Sequence, residues 1–238
     1  MKLNEIFKTI NLDYPFSLQE EWDCSGIQIN KNEINSILVC LDVTTNVLKY
    51  ALEKNIDLII SHHPLIFNSY IDSYDYIRDI YQSCYRSNIS LLAMHTNFDN
   101  NHKGMNYEFY KKLNYNNYSF DDDIITFDCD NNIINKIKEL KIPIRVYNNE
   151  NIDIKKGCII LGAGGSFIEM VNKLNCNLFI SSEFKHHEIL YAKEHNILLV
   201  DVTHQCEMIF VDIIYNYLLN KFNNLEIYYY KDEYLIDD

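Results

Sequence analysis

Residues 57–65 read Asp-Leu-Ile-Ile-Ser-His-His-Pro-Leu, and this stretch decides the fold class. Its first four residues form an apolar run that predicts a buried strand, and Pro64 ends the hydrogen bonding of that strand. His62 and His63 therefore follow a strand directly. In an open α/β sheet, the carboxyl ends of the strands are where ligands bind. We therefore predict a ligand site in an α/β fold.

The same arrangement, an apolar run followed by histidine and carboxylate, recurs three times along the chain. Six of the eight histidines fall in these four places. Imidazole together with carboxylate is a donor set that divalent transition metals prefer, so the pattern predicts a metalloprotein. The three further runs are residues 91–94 before His95 and Asp99, residues 178–180 before Glu183, His186 and His187, and residues 198–200 before His204 and Glu207.

Each of these segments has an ordinary structural interpretation when it is taken alone. The pair His62 and His63 can be partly buried histidines that hydrogen-bond to the backbone. Asp99 can be a turn former or a helix cap. His204 and Glu207 can share a solvated helical face. Metal binding is favoured because the groups recur at equivalent strand ends.

Composition excludes several other classes of protein. With 238 residues the chain forms one large domain or two small ones. A net charge of −13 with scattered Lys and Arg argues against a nucleic-acid partner. Seven cysteines without CxxC spacing suit free thiols in a reducing cytosol. The N-terminus does not resemble a signal peptide, and no apolar run approaches the ~18 residues of a membrane span. We expect a cytoplasmic protein without a membrane partner.

Strand and helix patterns alternate along the chain, which predicts mainly parallel βαβ units. The predicted strands are residues 37–41, 57–60, 89–94, 158–161, 178–180, 197–202 and 225–230. The predicted helices are residues 3–10, 45–54, 77–86, 105–113, 167–174, 187–194 and 206–219. Residues 114–130 form a polar stretch that we take as a boundary, with a second loop at 148–151. We predict lobe I at 1–122 plus 208–238 and lobe II at 123–207.

A glycine-rich segment and a polar cluster supply candidate substrate-binding residues in lobe II. Residues 162–166 read Gly-Ala-Gly-Gly-Ser between a predicted strand and helix, so their N–H groups could hold an anion such as phosphate. The glycines can equally serve only a tight turn, and the segment lacks the P-loop and dinucleotide signatures. The polar cluster can instead be a capped helix start. The candidates for binding substrate are Gly164, Ser166, Glu183, Lys185 and His187.

Six motifs of this chain resemble, in the same order, those of the GTP cyclohydrolase 1 type 2 homolog family, also called the Nif-three-like dinuclear metal proteins. The resemblance covers almost the whole chain. Cys24 stands where the family usually has Asn, and His204 and Glu207 are three residues apart where the family usually has four. The motifs are WDCSGIQ at 22–28, SHHPLIF at 61–67, HTNFD at 95–99, GAGGSF at 162–167, SEFKHH at 182–187 and THQCE at 203–207.

The resemblance implies an architecture and a metal site. It implies two α/β lobes with mixed, largely parallel sheets flanked by helices, a metal cleft between them, and assembly as a toroidal homohexamer. It implies two divalent ions, and imidazole with carboxylate suits Zn, Mn, Fe, Ni or Co. Glu207 would bridge the two ions. The implied metal ligands are His62, His63, Asp99, His204 and Glu207.

The resemblance also implies an activity. We expect a dinuclear metal-dependent hydrolase that acts on a small molecule, a nucleotide or a phosphoester. The family name implies conversion of GTP to formate and 7,8-dihydroneopterin triphosphate. His95 would be the general acid or base, since it adjoins the metals without being one of the five ligands. The alternative is a metal-binding or scaffold protein without turnover of GTP. A toroid that threads nucleic acid conflicts with the net charge.

Overall fold

The computed structural model describes residues 1–31, 33–67, 69–70, 73–121, 124–148 and 152–232. Its α-helices are α1 (Leu3–Asp13), α2 (Thr45–Glu53), α3 (Asp75–Arg86), α4 (Thr96–Asp99), α5 (Met105–Lys112), α6 (Ile133–Glu139), α7 (Ile168–Lys173), α8 (His186–Glu194) and α9 (Ile209–Lys221). Its strands are β1 (Gly26–Ile29), β2 (Ser36–Cys40), β3 (Leu58–Ser61), β4 (Ser90–Ala93), β5 (Ser119–Asp121), β6 (Ile124–Asp128), β7 (Arg145–Tyr147), β8 (Lys156–Ile159), β9 (Leu178–Ser181), β10 (Leu198–Asp201) and β11 (Glu226–Tyr229).

The chain divides into two compact units. Within the described residues, unit 1 comprises Met1–Asn101 and the chain from Phe210 onward, and unit 2 comprises His102–Ile209. The predicted boundary between residues 122 and 123 lies outside the described residues, as do residues 233–238 of predicted lobe I. The division into the predicted lobes stays a prediction.

Unit 1 contains a five-stranded sheet in the order β1-β4-β3-β2-β11. The strands from β4 to β11 are parallel, and β1 is antiparallel to β4. Every residue of β2, β3 and β4 is buried. Such continuous apolar strands are typical of a parallel sheet that helices cover on both faces. Val47 and Ala51 of α2 and Ile80 and Cys84 of α3 belong to the core that packs on this sheet.

Unit 2 contains a six-stranded sheet in the order β5-β6-β8-β9-β10-β7. Strands β8, β9 and β10 are parallel to one another. The remaining pairs are antiparallel: β6 pairs with β8, β5 pairs with β6, and β7 pairs with β10. Its core includes Val171 of α7 and Ala192 of α8. The predicted α/β class, with two mixed sheets flanked by helices, is confirmed.

Residues 114–130, which the sequence analysis takes as a polar stretch at a lobe boundary, contain strand structure, and the boundary itself stays a prediction. Strands β5 and β6 pair there, and residues 124–127 of β6 are buried. The apolar run Ile-Ile-Thr-Phe is short, and the surrounding Asn, Asp and Tyr residues make it hard to recognise in the sequence.

All seven cysteines are free thiols. Among the described residues, none of the helices has both the length and the apolar character that a membrane crossing requires.

Candidate metal site

Three neighbouring parallel strands of unit 1 bring side chains with metal-binding chemistry to one edge of the sheet. The last residues of β2, β3 and β4 are aligned as Cα partners in one row. Two residues beyond that row, the chain places Asp42 after β2, His63 after β3 and His95 after β4. His62 lies one residue beyond the row. Because the strands are parallel and in register, equal spacing along the chain places these residues next to one another.

The imidazole rings of His62, His63 and His95 form a compact cluster. Their ring centroids are 4.8 to 5.5 Å apart. Each ring offers a nitrogen to a common centre, and these nitrogens all lie within 4.8 Å of one another. Three imidazole donors at this spacing are compatible with coordination of a single divalent ion.

The Nδ1 atom of each ring already faces an acceptor. His62 Nδ1 lies 2.9 Å from the carbonyl oxygen of Met94, and His63 Nδ1 lies 2.7 Å from Asp42 Oδ1. His95 Nδ1 lies 2.8 Å from Asp23 Oδ1. Carbonyls and carboxylates only accept hydrogen bonds, so they keep the proton of each neutral ring on Nδ1. The lone pair that can bind a metal is then on Nε2. This arrangement is typical of metal-ligating histidines, whose other ring nitrogen donates to a carbonyl or a carboxylate.

Asp99 adds a carboxylate to the imidazole cluster. Helix α4 begins directly after His95, and the Asp99 N–H donates to the His95 carbonyl at 3.1 Å. That turn places Asp99 Oδ2 3.8 Å from His62 Nε2. The His62 side chain is 1% exposed and that of Asp99 is 22% exposed, so the pair is partly shielded from water. The structure therefore brings together the four predicted site residues of unit 1.

Asp23 is a buried carboxylate beside this cluster that accepts several hydrogen bonds. Strand β1 starts opposite the end of β4, so the residues just before β1 lie beside His95. Asp23 accepts hydrogen bonds from Ser25 Oγ at 2.5 Å and from Thr96 Oγ1 at 2.6 Å, besides that from His95. Burial raises the pKa of Asp23, but these hydrogen bonds hold it well below its ordinary value. The side chain is 0% exposed and stays ionised near neutral pH.

His204 and Glu207 lie together in unit 2. The Nδ1 atom of His204 is 3.2 Å from Glu207 Oε1, and its Nε2 atom is 3.3 Å from Glu183 Oε2. Glu207 is buried, whereas the His204 side chain is 47% exposed. Residues His204–Met208 form a 3₁₀-helix. Because that helix has three residues per turn, positions i and i+3 eclipse, so the three-residue spacing brings the two side chains together.

Thr203, the residue before His204, has a strained backbone. Its φ is 54° and its ψ is 160°, a conformation that a β-branched residue rarely adopts. The Thr203 N–H donates to Asp201 Oδ1 at 2.9 Å, and burial raises the pKa of this carboxyl group. The strain lies next to a candidate ligand, where such outliers tend to cluster.

The glycines of residues 162–165 have a packing role in unit 2. Gly164 is buried, and its N–H donates to Ser181 Oγ at 3.1 Å. A Cβ atom at Gly165 would overlap the carboxylate of Glu188, a residue that is 3% exposed. Ser166, Lys185 and His187 are exposed. Anion or substrate binding stays a prediction for the five candidates Gly164, Ser166, Glu183, Lys185 and His187.

Comparison with known proteins decides the family. The model of the Duf34/NIF3 (NGG1p interacting factor 3) family matches residues 1–233. The chain belongs to the Duf34/NIF3 family. This match confirms the resemblance inferred from the six motifs.

The relatives of this Duf34/NIF3 protein carry the expected names. A Campylobacter jejuni protein named GTP cyclohydrolase 1 type 2 homolog is 35% identical over 215 residues, which are 86% of each chain. A Helicobacter pylori protein named GTP cyclohydrolase 1 type 2 is 30% identical over 240 residues, 94% of this chain and 93% of that one. The crystal structure of Staphylococcus aureus protein SA1388 superposes with a TM-score of 0.86 at 26% identity, covering 98% and 97% of the two chains.

Sequence reasoning gave no role to two carboxylates of this Duf34/NIF3 protein. Asp23 and Asp42 hold the rings of His95 and His63, although neither was among the candidates. A signal for Asp42 was present, since it follows the predicted strand 37–41 much as His63 follows strand 57–60. For Asp23, its place in the WDCSG motif was the only sequence signal.

Proposed function

We propose that this Duf34/NIF3 protein is a dinuclear metal-dependent hydrolase that acts on a nucleotide or phosphoester, with GTP as the first substrate to test. The names of the relatives support GTP as the substrate. On GTP, the activity that the family name implies would open the imidazole ring with water and release its C8 carbon as formate. The ribose carbons would then rearrange and close the new ring with loss of one water, which gives 7,8-dihydroneopterin triphosphate. The observation that carries the proposal is the cluster of three histidines whose Nδ1 atoms are all held by acceptors.

The donor set fits divalent metal ions. Imidazole Nε2 atoms and carboxylates suit Zn, Mn, Fe, Ni or Co. Bound ions of this kind would lower the pKa of a water toward ~7 and polarise a substrate oxygen. As the family resemblance implies, we propose that the ligands are His62, His63, Asp99, His204 and Glu207.

His95 is proposed as the proton-transfer group. Asp23 keeps the proton of the neutral ring on Nδ1, so Nε2 is the atom that can take up or release a proton toward a reacting group. The ionised Asp23 would also stabilise the imidazolium that forms. The position of His95 beside His62 and His63 also suits a metal ligand. The metal content of a His95 variant distinguishes the two roles.

The test combines metal analysis with turnover. The metal content of the purified protein is measured by mass spectrometry, and formate release is measured with GTP, other nucleotides and phosphoesters. The His95→Ala variant should keep its metal content and lose on the order of 10²–10⁴-fold in turnover. The His63→Ala variant should lose metal. His102→Ala, a change of an exposed histidine outside the cluster, is the matched control and should alter neither quantity.

Two results would contradict parts of the proposal. Equal metal loss in His95→Ala and His63→Ala would make His95 a ligand or a structural residue. No turnover of GTP or the other compounds by the metal-loaded wild type would favour the metal-binding or scaffold function. The homohexamer that the resemblance implies is also a proposal, and sedimentation analysis of the purified chain tests it.

A further inference from the structure

Two exposed aromatic rings adjoin His95 in unit 1. Trp22 is 57% exposed and Phe67 is 38% exposed, and their ring centroids are 5.7 Å apart. Both rings meet His95 edge-on, with centroids 5.9 Å away for Trp22 and 5.8 Å for Phe67 and an interplanar angle of 75° in each case. Two adjoining exposed aromatic rings beside a candidate active site form an apolar surface of the kind that ligands cover. We call this pair the aromatic face.

A cavity of about 510 Å³ lies beside the aromatic face. Its volume is in the range of small-molecule sites, about 300–1,000 Å³. The Cys24 thiol donates to the carbonyl of Phe67, which joins the cavity wall to the aromatic face. No lysine or arginine is among the described residues that line the cavity, so its chemistry suits a flat apolar group better than a phosphate. The lining residues are Cys24, Gln28, Ile66, Tyr70 and Tyr81.

The loop that carries Phe67 is held in place. The side-chain amide of Gln28 donates to the Ile66 carbonyl at 2.7 Å and accepts from the Ile66 N–H at 3.2 Å. These two bonds engage both the NH₂ group and the oxygen of the Gln28 amide and fix the backbone next to Phe67. The aromatic face is therefore a formed surface, so a ring that binds there loses little free energy to ordering the protein.

We infer that the aromatic face and this cavity bind the heteroaromatic ring system of the substrate, a fused bicycle of nucleobase type. The ring stacks on the exposed surfaces of Trp22 and Phe67, and its reacting edge lies toward His95. Stacking of bases on aromatic side chains tolerates different bases because every base has a π face. The inference rests on the proposed function for the reaction that the ring undergoes, whereas ring binding itself is measured without turnover.

The single tryptophan of the chain makes the test direct. Trp22 fluorescence of the full-length, metal-loaded protein is titrated with guanosine, GTP, ribose 5-phosphate and tripolyphosphate. Free N-acetyltryptophanamide corrects for light absorbed by the ligands. We expect saturable quenching by guanosine and GTP. We expect no quenching by ribose 5-phosphate or tripolyphosphate, which have no aromatic ring.

Three variants complete the test. Phe67→Leu keeps an apolar side chain but removes the ring, so guanosine should bind about 5- to 150-fold more weakly. Phe67→Tyr keeps the ring and should bind guanosine within about twofold of the wild type, which shows whether a ring is what matters. Tyr229→Ala changes an exposed aromatic residue on β11, at the opposite edge of the sheet from β1, and should leave quenching unchanged.

The inference is overturned if the wild type shows no saturable quenching by guanosine. It is also overturned if tripolyphosphate quenches as strongly as GTP, or if Phe67→Leu binds guanosine like the wild type. Failure of the proposed function gives a different result. If the protein binds guanosine as expected but converts none of the compounds, the result supports the ring site and contradicts the hydrolase activity.

Discussion

Replacement of Asp23 by Asn tests whether this buried carboxylate prepares His95 for its role. Oδ1 of Asp23 accepts from His95 Nδ1 and from the Cys24 N–H at 2.7 Å. Oδ2 accepts from two hydroxyl groups and from the Thr96 N–H at 3.1 Å. The Asn side chain must place its NH₂ group at one of these two positions. In either orientation, a backbone N–H then faces a donor.

The expected magnitude follows from this geometry. One buried N–H without an acceptor costs about 1–3 kcal/mol, so the free energy of unfolding should fall by that amount. Because folding depresses the pKa of Asp23, its contribution to stability is present above the unfolded value of about 4 and is lost as the pH falls from there through the folded value. Substitutions behind metal-ligating histidines cost about 10- to 100-fold in metal affinity, and the same loss is expected here if His95 is a ligand.

The assay measures stability and metal affinity separately. Urea unfolding gives the free energy of unfolding, and competition with a chromophoric chelator gives the metal affinity. Asp57→Asn is the control for stability, because Asp57 accepts from the Asn35 and Ser36 N–H groups at the amino end of β2, away from the cluster. Asp79→Asn, at an exposed carboxylate, is the neutral control.

If His95 transfers protons, the turnover of Asp23→Asn should fall because the neutral amide cannot stabilise an imidazolium. If His95 is a metal ligand, the turnover should fall because metal affinity is lost. If Asp23→Asn keeps both its turnover and its metal affinity within about twofold of the wild type, Asp23 does not position His95. Equal losses of turnover in Asp57→Asn and Asp23→Asn would show that reduced stability, and not the contact with His95, lowers the activity.

Three further changes have outcomes that the structure sets. Gly165→Ala places a methyl group against the Glu188 carboxylate and should lower the free energy of unfolding in urea by about 1–3 kcal/mol; an unchanged value would contradict the packing role. Burial raises the pKa of Cys84 to about 12, so the ionisation of this thiol in the unfolded chain should lower the free energy of unfolding by about 1.4 kcal/mol per pH unit above pH ~9. An equally steep fall in Cys84→Ala would show that Cys84 does not cause it. Thr203→Gly removes the strain of the positive φ and should raise the free energy of unfolding by about 1 kcal/mol, whereas Thr203→Ala keeps the strain. Equal melting temperatures of the two variants would contradict a strained backbone at Thr203.

The central strands of unit 1 could be predicted from the sequence because they are buried on both faces. The predicted strands 37–41, 57–60 and 89–94 overlap β2, β3 and β4, which are continuous apolar runs. The antiparallel edge strands β1 and β7 could not be predicted in the same way. In β1 and β7 most residues are only half-buried or exposed, and both pair antiparallel at the edge of a sheet. Their sequences therefore lack a continuous apolar run.

The candidate site was predictable where residue type carries the signal. Histidine is rare in this chain, so His62, His63 and His95 at strand ends stand out, whereas the chain has 34 Asp and Glu residues. A single Asp after a strand is typical of a turn. The pairing of Asp42 with His63 depends on the register between β2 and β3, which no single segment contains. The pairing of Asp23 with His95 needs β1, which was not predicted.

The spacing of His204 and Glu207 shows how helix type decides which residues can act together. A separation of four residues suits an α-helix, which has 3.6 residues per turn. With one residue fewer, the same two side chains stay aligned only if the turn tightens, and residues His204–Met208 do form a 3₁₀-helix before α9 begins at Ile209. The 3.2 Å contact between His204 Nδ1 and Glu207 Oε1 is the result. The shorter motif is therefore compatible with a shared role for the two residues, because the local backbone compensates for the missing position.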